Sequence, residues 1–536
     1  QFLRSDDTEL VLNAYLAYGS RFVTRLEGAF HLAILDQGSK ELVIANDRFG
    51  LRPLYWSKYQ GRFAFAPEVK ALLADPDFEK QLNLTAVAEF MRFEHLLGEK
   101  TFFEGISLLP VASLLRYQLV DKSLTITPYW EFPQSLSLSP QTPYPEIVEE
   151  TARLFQQAVE KLATDTHRVG LYLSGGLDSR LIGACLAKNR SGFPTVSYGS
   201  KDCIDVLLSE RISSVIGGTH HYFEFTDGRW VRENAHLHLD LTEGHHSWVH
   251  SHGISTLGQV RSIMDVNLTG WGVHWGLGGN SWDPLLHDAT DNWAFECYLF
   301  HLHTQKYTWP GLTEAEAHCL FTDEYQTRLQ GLAFDSLRSQ ARKLRDYPME
   351  QQAEYFFILH HNRRLTQNFV VFNSSHVENR FPGYDYELFD FINSIPATLR
   401  ANRKLQQDVI EYVNPRLALI PRDRDGLLFT RKRSRRVPHH IFTRLKQRIN
   451  RHLAPVFQFP SQYYADYEKW LRTDLRSWAT DVLLDGRMAN RGIFNMEFIK
   501  SLLMQLDRPF SGAETHTIGK VAPIMTFEMM LREYFD

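Results

Sequence analysis

Hydrophobic and polar positions alternate in two different ways along the chain, and the change divides it into two parts. Over the first 130 residues, short apolar runs such as FHLAILD, ELVIAN and RFAFAP lie between turn signals, which is typical of strands. Helical periodicity predicts two helices within this part, at residues 8–18 and 85–93. We therefore predict that these residues form a strand-rich unit.

A stretch rich in Pro and Ser, FPQSLSLSPQTPYP, follows and predicts a linker at residues 131–145. Beyond it, strands alternate with helices, which predicts a parallel sheet covered by helices. From about residue 285 onward the pattern is mainly helical. The predicted strands are 168–173, 194–198 and 221–225, the predicted loop is 174–179, and the predicted helices are 146–163, 180–188 and 206–216.

Length and composition mainly serve to exclude some classes of protein. A chain of 536 residues predicts two to four domains, and 43% hydrophobic with 23% charged residues is ordinary for a globular protein. No apolar run reaches eighteen residues, and the start QFLRSDDTEL has no apolar signal-peptide core, so we predict a cytoplasmic enzyme without a membrane partner. A net charge of -5 disfavours a general nucleic-acid binder.

The stretch LYLSGGLDSR, residues 171–180, carries the strongest chemical signal. A loop that leaves a parallel strand and opens a helix exposes backbone N–H groups beside the positive end of the helix dipole, which favours an anion. Gly175 and Gly176 permit close approach, and Ser174 and Ser179 add hydroxyl donors. The carboxylate of Asp178 would repel phosphates unless Mg²⁺ lies between them, which predicts a pyrophosphate site with metal. A glycine-rich turn without a ligand is the plain alternative.

This string resembles the loop of the ATP pyrophosphatases, or PP-loop enzymes. Its flanks narrow the resemblance to the asparagine synthetase family: FVTRLEGAFHLAILDQGSKELVIANDRFGLRPLYW and FAFAPEVKALL are similar to the family's glutaminase domain, and VENRFPGYDYELFDFINSIP to its E-x-R-x-P-F-L-D stretch. The resemblance implies a mixed α/β and α+β fold. Residues 1–130 would form a partial, β-rich Ntn-type glutaminase domain, and residues 146–536 an α/β PP-loop synthetase domain with a helical C-terminal part.

The resemblance also implies a set of site residues, with ATP and Mg²⁺ as the bound groups. Asp7 would hold the α-amino group of glutamine. Asp178 would be a catalytic residue and the Mg²⁺ ligand, Arg424 would stabilise charge on the phosphates, and Glu378 would be catalytic, although a structural ion pair explains Glu378 equally well. The implied ATP-binding residues are Leu173, Ser174, Gly175, Gly176, Leu177, Asp178, Ser179, Tyr198, Thr269 and Gly270.

The sequence departs from the family pattern at three places. The family's glutaminase uses an N-terminal cysteine, whereas this chain has no cysteine before Cys185, so we expect no glutamine hydrolysis from it. Where the family has G-x-G-x-D-E, GWGVHW puts His274 and Trp275 at the two acids, and Asp283 is an acid that could compensate. The family's R-x-K becomes Arg-Asp-Arg, ending at Arg424, which keeps the charge and changes the geometry.

Four further features have structural interpretations that are weighed against functional ones. The histidine-rich segment AHLHLDLTEGHHSWVHSHG raises a zinc site, but it shows no four-ligand spacing, so packed or solvent-facing histidines are favoured. The run RKRSRRVPHHIFTRLKQRINRH could bind RNA, phosphate or a carrier partner, and a solvated face is favoured. Arg180 and Arg380 could be structural. The four cysteines fit no metal or redox spacing and predict reduced thiols.

Taken together, these features predict an asparagine-synthase-like ligase that adenylates a carboxylate, aspartate by family analogy, and aminates it with release of AMP and pyrophosphate. Its partners would be small molecules, namely ATP, the carboxylate and ammonia or glutamine-derived nitrogen; a homodimer stays open. One rival is a family relative that closes a β-lactam or a macrolactam. Another is a catalytically impaired, nucleotide-binding pseudoenzyme. A tRNA-modifying PP-loop enzyme is disfavoured by the glutaminase remnant.

Overall fold

The computed structural model describes residues 7–134, 138–139, 141–164, 167–278, 286, 289–307, 311–452, 460–508 and 516–536. Its N-terminal part contains two antiparallel sheets, with strand orders β1-β2-β6-β7 and β4-β3-β5. The strand-rich prediction for this part is confirmed. The strands are β1 His31–Asp36, β2 Glu41–Asn46, β3 Tyr55–Tyr59, β4 Arg62–Ala66, β5 Ile106–Leu108, β6 Ser113–Gln118 and β7 Leu124–Pro128.

Three helices accompany these sheets: α1 Asp7–Tyr18, α2 Val69–Leu73 and α3 Leu84–Phe93. Helix α3 begins after Asn83, whose side chain accepts a hydrogen bond from the Ala86 N–H at 3.1 Å, and its apolar face is buried. The predicted helices 8–18 and 85–93 each begin within one residue of the observed ones, whereas the short α2 was not predicted.

A five-stranded parallel sheet forms the centre of the second part, in the order β10-β9-β8-β11-β12. The chain passes outward in one direction from β8 to β10 and in the other direction from β11 to β12. In such sheets ligands bind at the carboxyl ends of the strands where the order reverses, which here is between β8 and β11. The strands are β8 Val169–Tyr172, β9 Pro194–Gly199, β10 Thr219–Glu224, β11 Val266–Leu268 and β12 Glu378–Arg380.

The helices that cover this sheet begin earlier than the sequence predicts. They are α4 Tyr144–Lys161, α5 Leu177–Leu186 and α6 Ile204–Ile216. The prediction of a loop up to residue 179 was wrong, because the extended backbone of Gly176 (φ -69°, ψ 175°) already caps α5. Apolar periodicity detects only the buried face of a helix, and Asp178 and Ser179 contribute little to it. Both residues therefore lie in the first turn of α5.

The remainder of the described chain is mainly helical, as predicted. The helices are α7 Arg229–Glu233, α8 Ala235–Thr242, α9 Leu257–Ile263, α10 Val273–Gly278, α11 Asn292–Gln305, α12 Glu314–Leu320, α13 Asp323–Leu329, α14 Leu332–Arg342, α15 Met349–Phe356, α16 Gln367–Ser374, α17 Tyr386–Ser394, α18 Ala397–Arg400, α19 Lys404–Val413, α20 Arg433–His452, α21 Tyr467–Arg472, α22 Arg476–Leu483, α23 Gly486–Asn490, α24 Met496–Gln505 and α25 Ile518–Tyr534.

A π-helical segment, Phe357–Thr366, joins α15 to α16 and connects the two parts of the chain. Its buried Arg363 and Arg364 donate hydrogen bonds to carbonyl oxygens of the N-terminal part, at Leu109 and at Gly98 and Lys100. π-Helical turns are rare and are often found at functional sites. This segment leads directly into α16, which borders the cavity described next.

Candidate active site

A cavity of about 320 Å³ lies at the carboxyl ends of β8, β9 and β11, where the strand order reverses. Seven of the ten predicted nucleotide-binding residues line it, and the other three, Gly175, Gly176 and Leu177, are the loop residues between lining positions. The cavity is of the size and position expected for a small-molecule site. The predicted residues in its lining are Leu173, Ser174, Asp178, Ser179, Tyr198, Thr269 and Gly270.

Short hydrogen bonds hold the Ser174–Ser179 loop in shape. The Ser174 N–H donates to Ser179 Oγ at 3.1 Å, and the Gly176 N–H donates to Ser174 Oγ at 3.1 Å. The Gly175 N–H donates to Asp205 Oδ1 at 2.9 Å, and a Cβ at Gly175 would meet the Leu208 side chain at 3.0 Å. The first-turn N–H groups of α5 have no acceptors within the helix, so they remain available to an anion.

Aromatic side chains form one wall of the cavity. Tyr198 stacks on Phe225 with ring centroids 5.3 Å apart, and the rings of Tyr172 and Tyr464 lie 6.1 and 6.4 Å from it. His252 also lines the cavity, with Nδ1 3.1 Å from the Tyr464 hydroxyl. Flat aromatic walls suit a planar base. Sequence reasoning identified only Tyr198 here, because Tyr464 and His252 are far from the loop in the chain.

The floor of the cavity contains an amide pair that crosses two strands. Asn267 on β11 donates through Nδ2 to Asn379 Oδ1 on β12 at 2.7 Å, and its Oδ1 accepts from the Tyr172 N–H at 3.0 Å. Both asparagines are buried, and their hydrogen bonds fix the relative heights of β8, β11 and β12. Sequence reasoning missed this pair, since no motif marks it.

Asp178 projects from the first turn of α5 and has a partner that the sequence did not indicate. Gln406 on α19 donates through Nε2 to Asp178 Oδ1 at 2.5 Å. Gly270 follows β11 closely, and a Cβ there would meet the Asp178 Cβ at 3.1 Å. A residue larger than glycine at 270 would therefore push against Asp178. The glutamine is 228 positions from the aspartate, so only the fold brings them together.

The two residues at the family's acidic positions have different surroundings. Trp275 is fully buried, with its ring 4.9 Å from Phe389, and belongs to the core. Burial lowers the pKa of His274; the nearby Asp178 carboxylate opposes this effect, and the positive charges of Arg403 and Arg424 add to it. The lowered pKa of His274 favours its neutral form, and its electrostatic interaction with Asp178 places the two side chains near each other. Asp283, the acid that could compensate, lies outside the described residues.

The remaining predicted catalytic residues are not in the lining of this cavity. Arg424 is exposed, and its positive charge helps to lower the pKa of His274. Glu378 pairs with Arg380 at 2.8 Å and lines a second cavity of about 320 Å³, which the N-terminal part also borders through Arg52. Asp7, the predicted glutamine contact, is the exposed first residue of α1. The catalytic roles of Arg424 and Glu378 and the glutamine-binding role of Asp7 stay predictions.

Arg180 has the structural surroundings that its plain reading implies. It is fully buried and donates to the carbonyl oxygens of Gly175 at 2.7 Å, Ile420 at 3.0 Å and Pro421 at 3.0 Å. Burial lowers the pKa of Arg180 to about 10, which leaves it charged at neutral pH. It therefore joins the Ser174–Ser179 loop, predicted to bind phosphate and called the phosphate loop below, to the segment that carries Arg424.

The cavity offers single oxygen donors of the kind that Mg²⁺ binds, and the histidine-rich segment contains packed histidines. Among the described residues, no group of three or more His, Cys, Asp or Glu side chains could hold a metal ion. Histidines of the rich segment are packed instead: His238 Nε2 lies 3.2 Å from His246 Nδ1, and both are buried. The Asp178 carboxylate is an oxygen donor of the kind that Mg²⁺ prefers, and the neighbouring Gln406, which contacts it through Nε2, has an amide oxygen that is buried without a hydrogen-bond partner.

The basic run for which a solvated face is favoured, residues 431–452, contains the whole of α20. Its hydrophobic positions include exposed Ile441, Phe442 and Leu445.

No helix in the described part of the chain is long and apolar enough to cross a membrane.

Comparison with protein families matches both parts of the chain. Residues 1–130 match a glutamine amidotransferase domain, and residues 150–532, well over half of the chain, match asparagine synthase. The chain belongs to the asparagine synthase family. The resemblance inferred from the phosphate loop and its flanks is therefore confirmed. The predicted domain boundaries stay a prediction.

Individual relatives agree with the family and are distant. The chain is 32% identical over 241 residues to asparagine synthetase [glutamine-hydrolyzing] 3 of Bacillus subtilis, a match that covers 41% of this chain and 38% of the relative. It is 21% identical over 443 residues to asparagine synthetase [glutamine-hydrolyzing] 2 of the same organism, covering 76% and 56%. It is 31% identical over 191 residues to amidase chyE of Penicillium rubens, covering 35% and 27%. The matches thus span about a quarter to just over half of these relatives.

Proposed function

We propose that this member of the asparagine synthase family is an ATP-dependent, amide-forming ligase. The observation that carries the proposal is the phosphate loop on α5, which lines a cavity at the carboxyl ends of β8 and β11. In the proposed reaction a carboxylate oxygen attacks the α-phosphorus of ATP and pyrophosphate leaves. A nitrogen nucleophile then attacks the acyl carbon, and AMP leaves.

Each part of the cavity supports one task in this reaction. The α5 N–H groups and the Ser174 and Ser179 hydroxyls would hold phosphate oxygens, and the wall around Tyr198 would border adenine. The positive charge of Arg424 would stabilise the negative charge that develops on pyrophosphate. Mg²⁺, when bound, supplies positive charge between Asp178 and the phosphates.

The acceptor is proposed by analogy to be aspartate, with ammonia or glutamine as the nitrogen source. The similarity to an amidase keeps another carboxylate substrate, including closure of a β-lactam or macrolactam, as the second candidate. A pseudoenzyme is the third, because His274 and Trp275 replace both acids of the family pattern. Cytoplasmic location, a homodimer and the absence of glutamine hydrolysis stay predictions.

The test is pyrophosphate release from ATP in the presence of Mg²⁺ and ammonia, with aspartate and a panel of other carboxylates. We expect release that depends on one carboxylate, and Gly176→Val should lower it at least about tenfold, because the new side chain fills the approach to the loop backbone. Gly258→Val is the matched control, since a Cβ at Gly258 meets nothing within 4 Å. Absence of ATP binding to the native chain would contradict the proposal, and binding without turnover would favour the pseudoenzyme.

A further inference from the structure

Gln406 reaches the cavity through its contact with Asp178, and half of its amide is hydrogen-bonded while the other half is not. The side chain is 0% exposed, and Nε2 donates to Asp178 Oδ1 at 2.5 Å. Its Oε1 is buried and has no hydrogen-bond partner. A buried acceptor without a donor is unfavourable and needs an explanation, such as an ion that the site binds.

A half-turn of the amide would bring the unpartnered oxygen to Asp178. Rotation about the Cγ–Cδ bond exchanges Nε2 and Oε1, which have nearly the same shape. With Oε1 turned towards Asp178, two oxygens would face each other, and this is favourable only with a cation between them. Gln406 can therefore donate to Asp178 when no cation is present and offer an oxygen when one is.

We propose that Gln406 Oε1 is a ligand of the cation that Asp178 holds in the nucleotide site, taking the place of the carboxylate absent at position 274. This inference rests on the proposed function. Mg²⁺ takes oxygen ligands, whereas the alternative at this position, the His274 imidazole, is a poor ligand for it.

The other carboxylates near the loop are less suited to this role. Asp205 on α6 also lines the cavity, but its Oδ1 accepts a hydrogen bond from the Gly175 N–H at 2.9 Å. Asp423 Oδ2 lies near the loop as well, 4.0 Å from the position that a Cβ would take at Gly176. Trp275 is in the core, so its position cannot supply a ligand after a simple rotation. Gln406 alone among these touches the Asp178 carboxylate directly.

The backbone around Gln406 fixes its position. Helix α19 begins just after Asn402 and Arg403, two successive non-glycine residues in the left-handed region, with φ of 57° and 59°. Such residues are unfavourable, and they persist where surrounding contacts define the conformation. Leu405 and Val409 then anchor the helix in the core beneath the parallel sheet. The glutamine therefore approaches Asp178 from a rigid element.

The test measures metal binding directly, without turnover. Mn²⁺ is titrated into the full chain with an α,β-methylene analogue of ATP, which cannot release pyrophosphate, and free Mn²⁺ is followed by electron paramagnetic resonance. We expect Gln406→Met, which keeps the shape and removes the oxygen, to weaken Mn²⁺ binding at least about tenfold. We expect Gln406→Glu to bind Mn²⁺ as tightly as the native chain or more tightly. Gln340→Met, a change at another buried glutamine, is the control and should match the native chain.

The two variants separate ligation from a structural role. If Gln406 only donates to Asp178, its oxygen takes no part in metal binding, and the methionine variant should bind Mn²⁺ as tightly as the native chain. A methionine variant within twofold of the native affinity would therefore overturn the inference while leaving the proposed function intact. A native chain that binds no nucleotide would overturn both. Thermal unfolding of each variant shows that it is folded.

Discussion

At the scale of single residues, the two departures from the family's acidic pattern do not have equal consequences. His274 is near Asp178, so an aspartate there would add a second carboxylate at the nucleotide phosphates. Trp275 is fully buried against Phe389. A glutamate there would bury a charge and leave empty part of the core volume that the tryptophan ring fills. Restoring the family pattern at both positions would therefore damage the core.

We predict that His274→Asp raises Mg²⁺-dependent pyrophosphate release, by no more than about tenfold, because Gln406 already offers an oxygen. We predict that Trp275→Glu lowers the free energy of unfolding by more than about 3 kcal/mol. Pyrophosphate assays and thermal unfolding measure the two effects. If the native chain releases pyrophosphate with Mg²⁺ as fast as the His274→Asp variant does, the prediction for His274 is contradicted.

At the scale of elements, one buried ion pair holds the helices around the site together. Arg400 on α18 contacts Glu354 on α15 through two hydrogen bonds, of 2.5 and 2.9 Å, and also donates to the Gly276 carbonyl on α10 at 2.8 Å. Both side chains are 3% exposed. Helix α10 carries His274, so this pair positions the helix beside Asp178.

We predict that Arg400→Met lowers the free energy of unfolding by about 3–5 kcal/mol, because the charge of Glu354 stays buried without its partner. Arg400→Met combined with Glu354→Met should recover much of that loss, since neither charge remains. The exposed pair Arg153–Glu150 on α4 is the control, and Arg153→Met should change stability by at most about 1 kcal/mol. Chemical denaturation checks all four proteins; equal effects of the two single arginine changes would count against the prediction.

Elements that depend on neighbouring residues could be predicted from the sequence, and contacts between distant elements could not. The phosphate loop, its strand and the glycine pair at 175 and 176 follow from a ten-residue string and its chemistry. The Asp178–Gln406 contact joins residues 228 positions apart, and the Asn267–Asn379 pair joins residues 112 apart. Such pairs leave no local pattern, because they arise only when separate strands and helices pack against the same sheet.

The whole molecule buries many histidines, and their pKa values predict how its stability depends on pH. Burial lowers the pKa of His238, His245 and His252 to about 3 and that of His361 to about 4. Each is neutral when folded and takes up a proton when unfolded once the pH falls below about 6.5. The stability from these groups is therefore full above pH 6.5 and is lost as the pH falls towards 3 or 4.

Two buried carboxyl groups act in the opposite direction. Burial raises the pKa of Asp47 to about 6 and that of Glu243 to about 7, so each binds its proton more tightly when folded and favours the folded state as the pH falls. At pH 5.5 each of the four histidines lowers the free energy of unfolding by about 1.4 kcal/mol, roughly 5.6 kcal/mol together, and the two carboxyls offset about 3 kcal/mol of this.

We therefore predict that the temperature of unfolding falls between pH 8 and pH 5.5, with a net loss of about 2 kcal/mol or more. Differential scanning calorimetry in buffers of equal ionic strength measures it. A temperature of unfolding that is constant or rises over this interval would show that the histidines are not buried in the neutral form.

The π-helical segment has a consequence for how far the two parts of the chain can change independently. Arg363 and Arg364 donate hydrogen bonds to the N-terminal part, and a few residues later Phe369 and Val370 form part of the cavity wall. Each residue of an α-helix turns the following side chains by about 100°. A one-residue deletion between these two sets would therefore swing the wall away from the cavity while the anchor stayed in place. One continuous helical stretch carries both sets of residues, so its rotation about its axis links the shape of the cavity to the contacts with the N-terminal part.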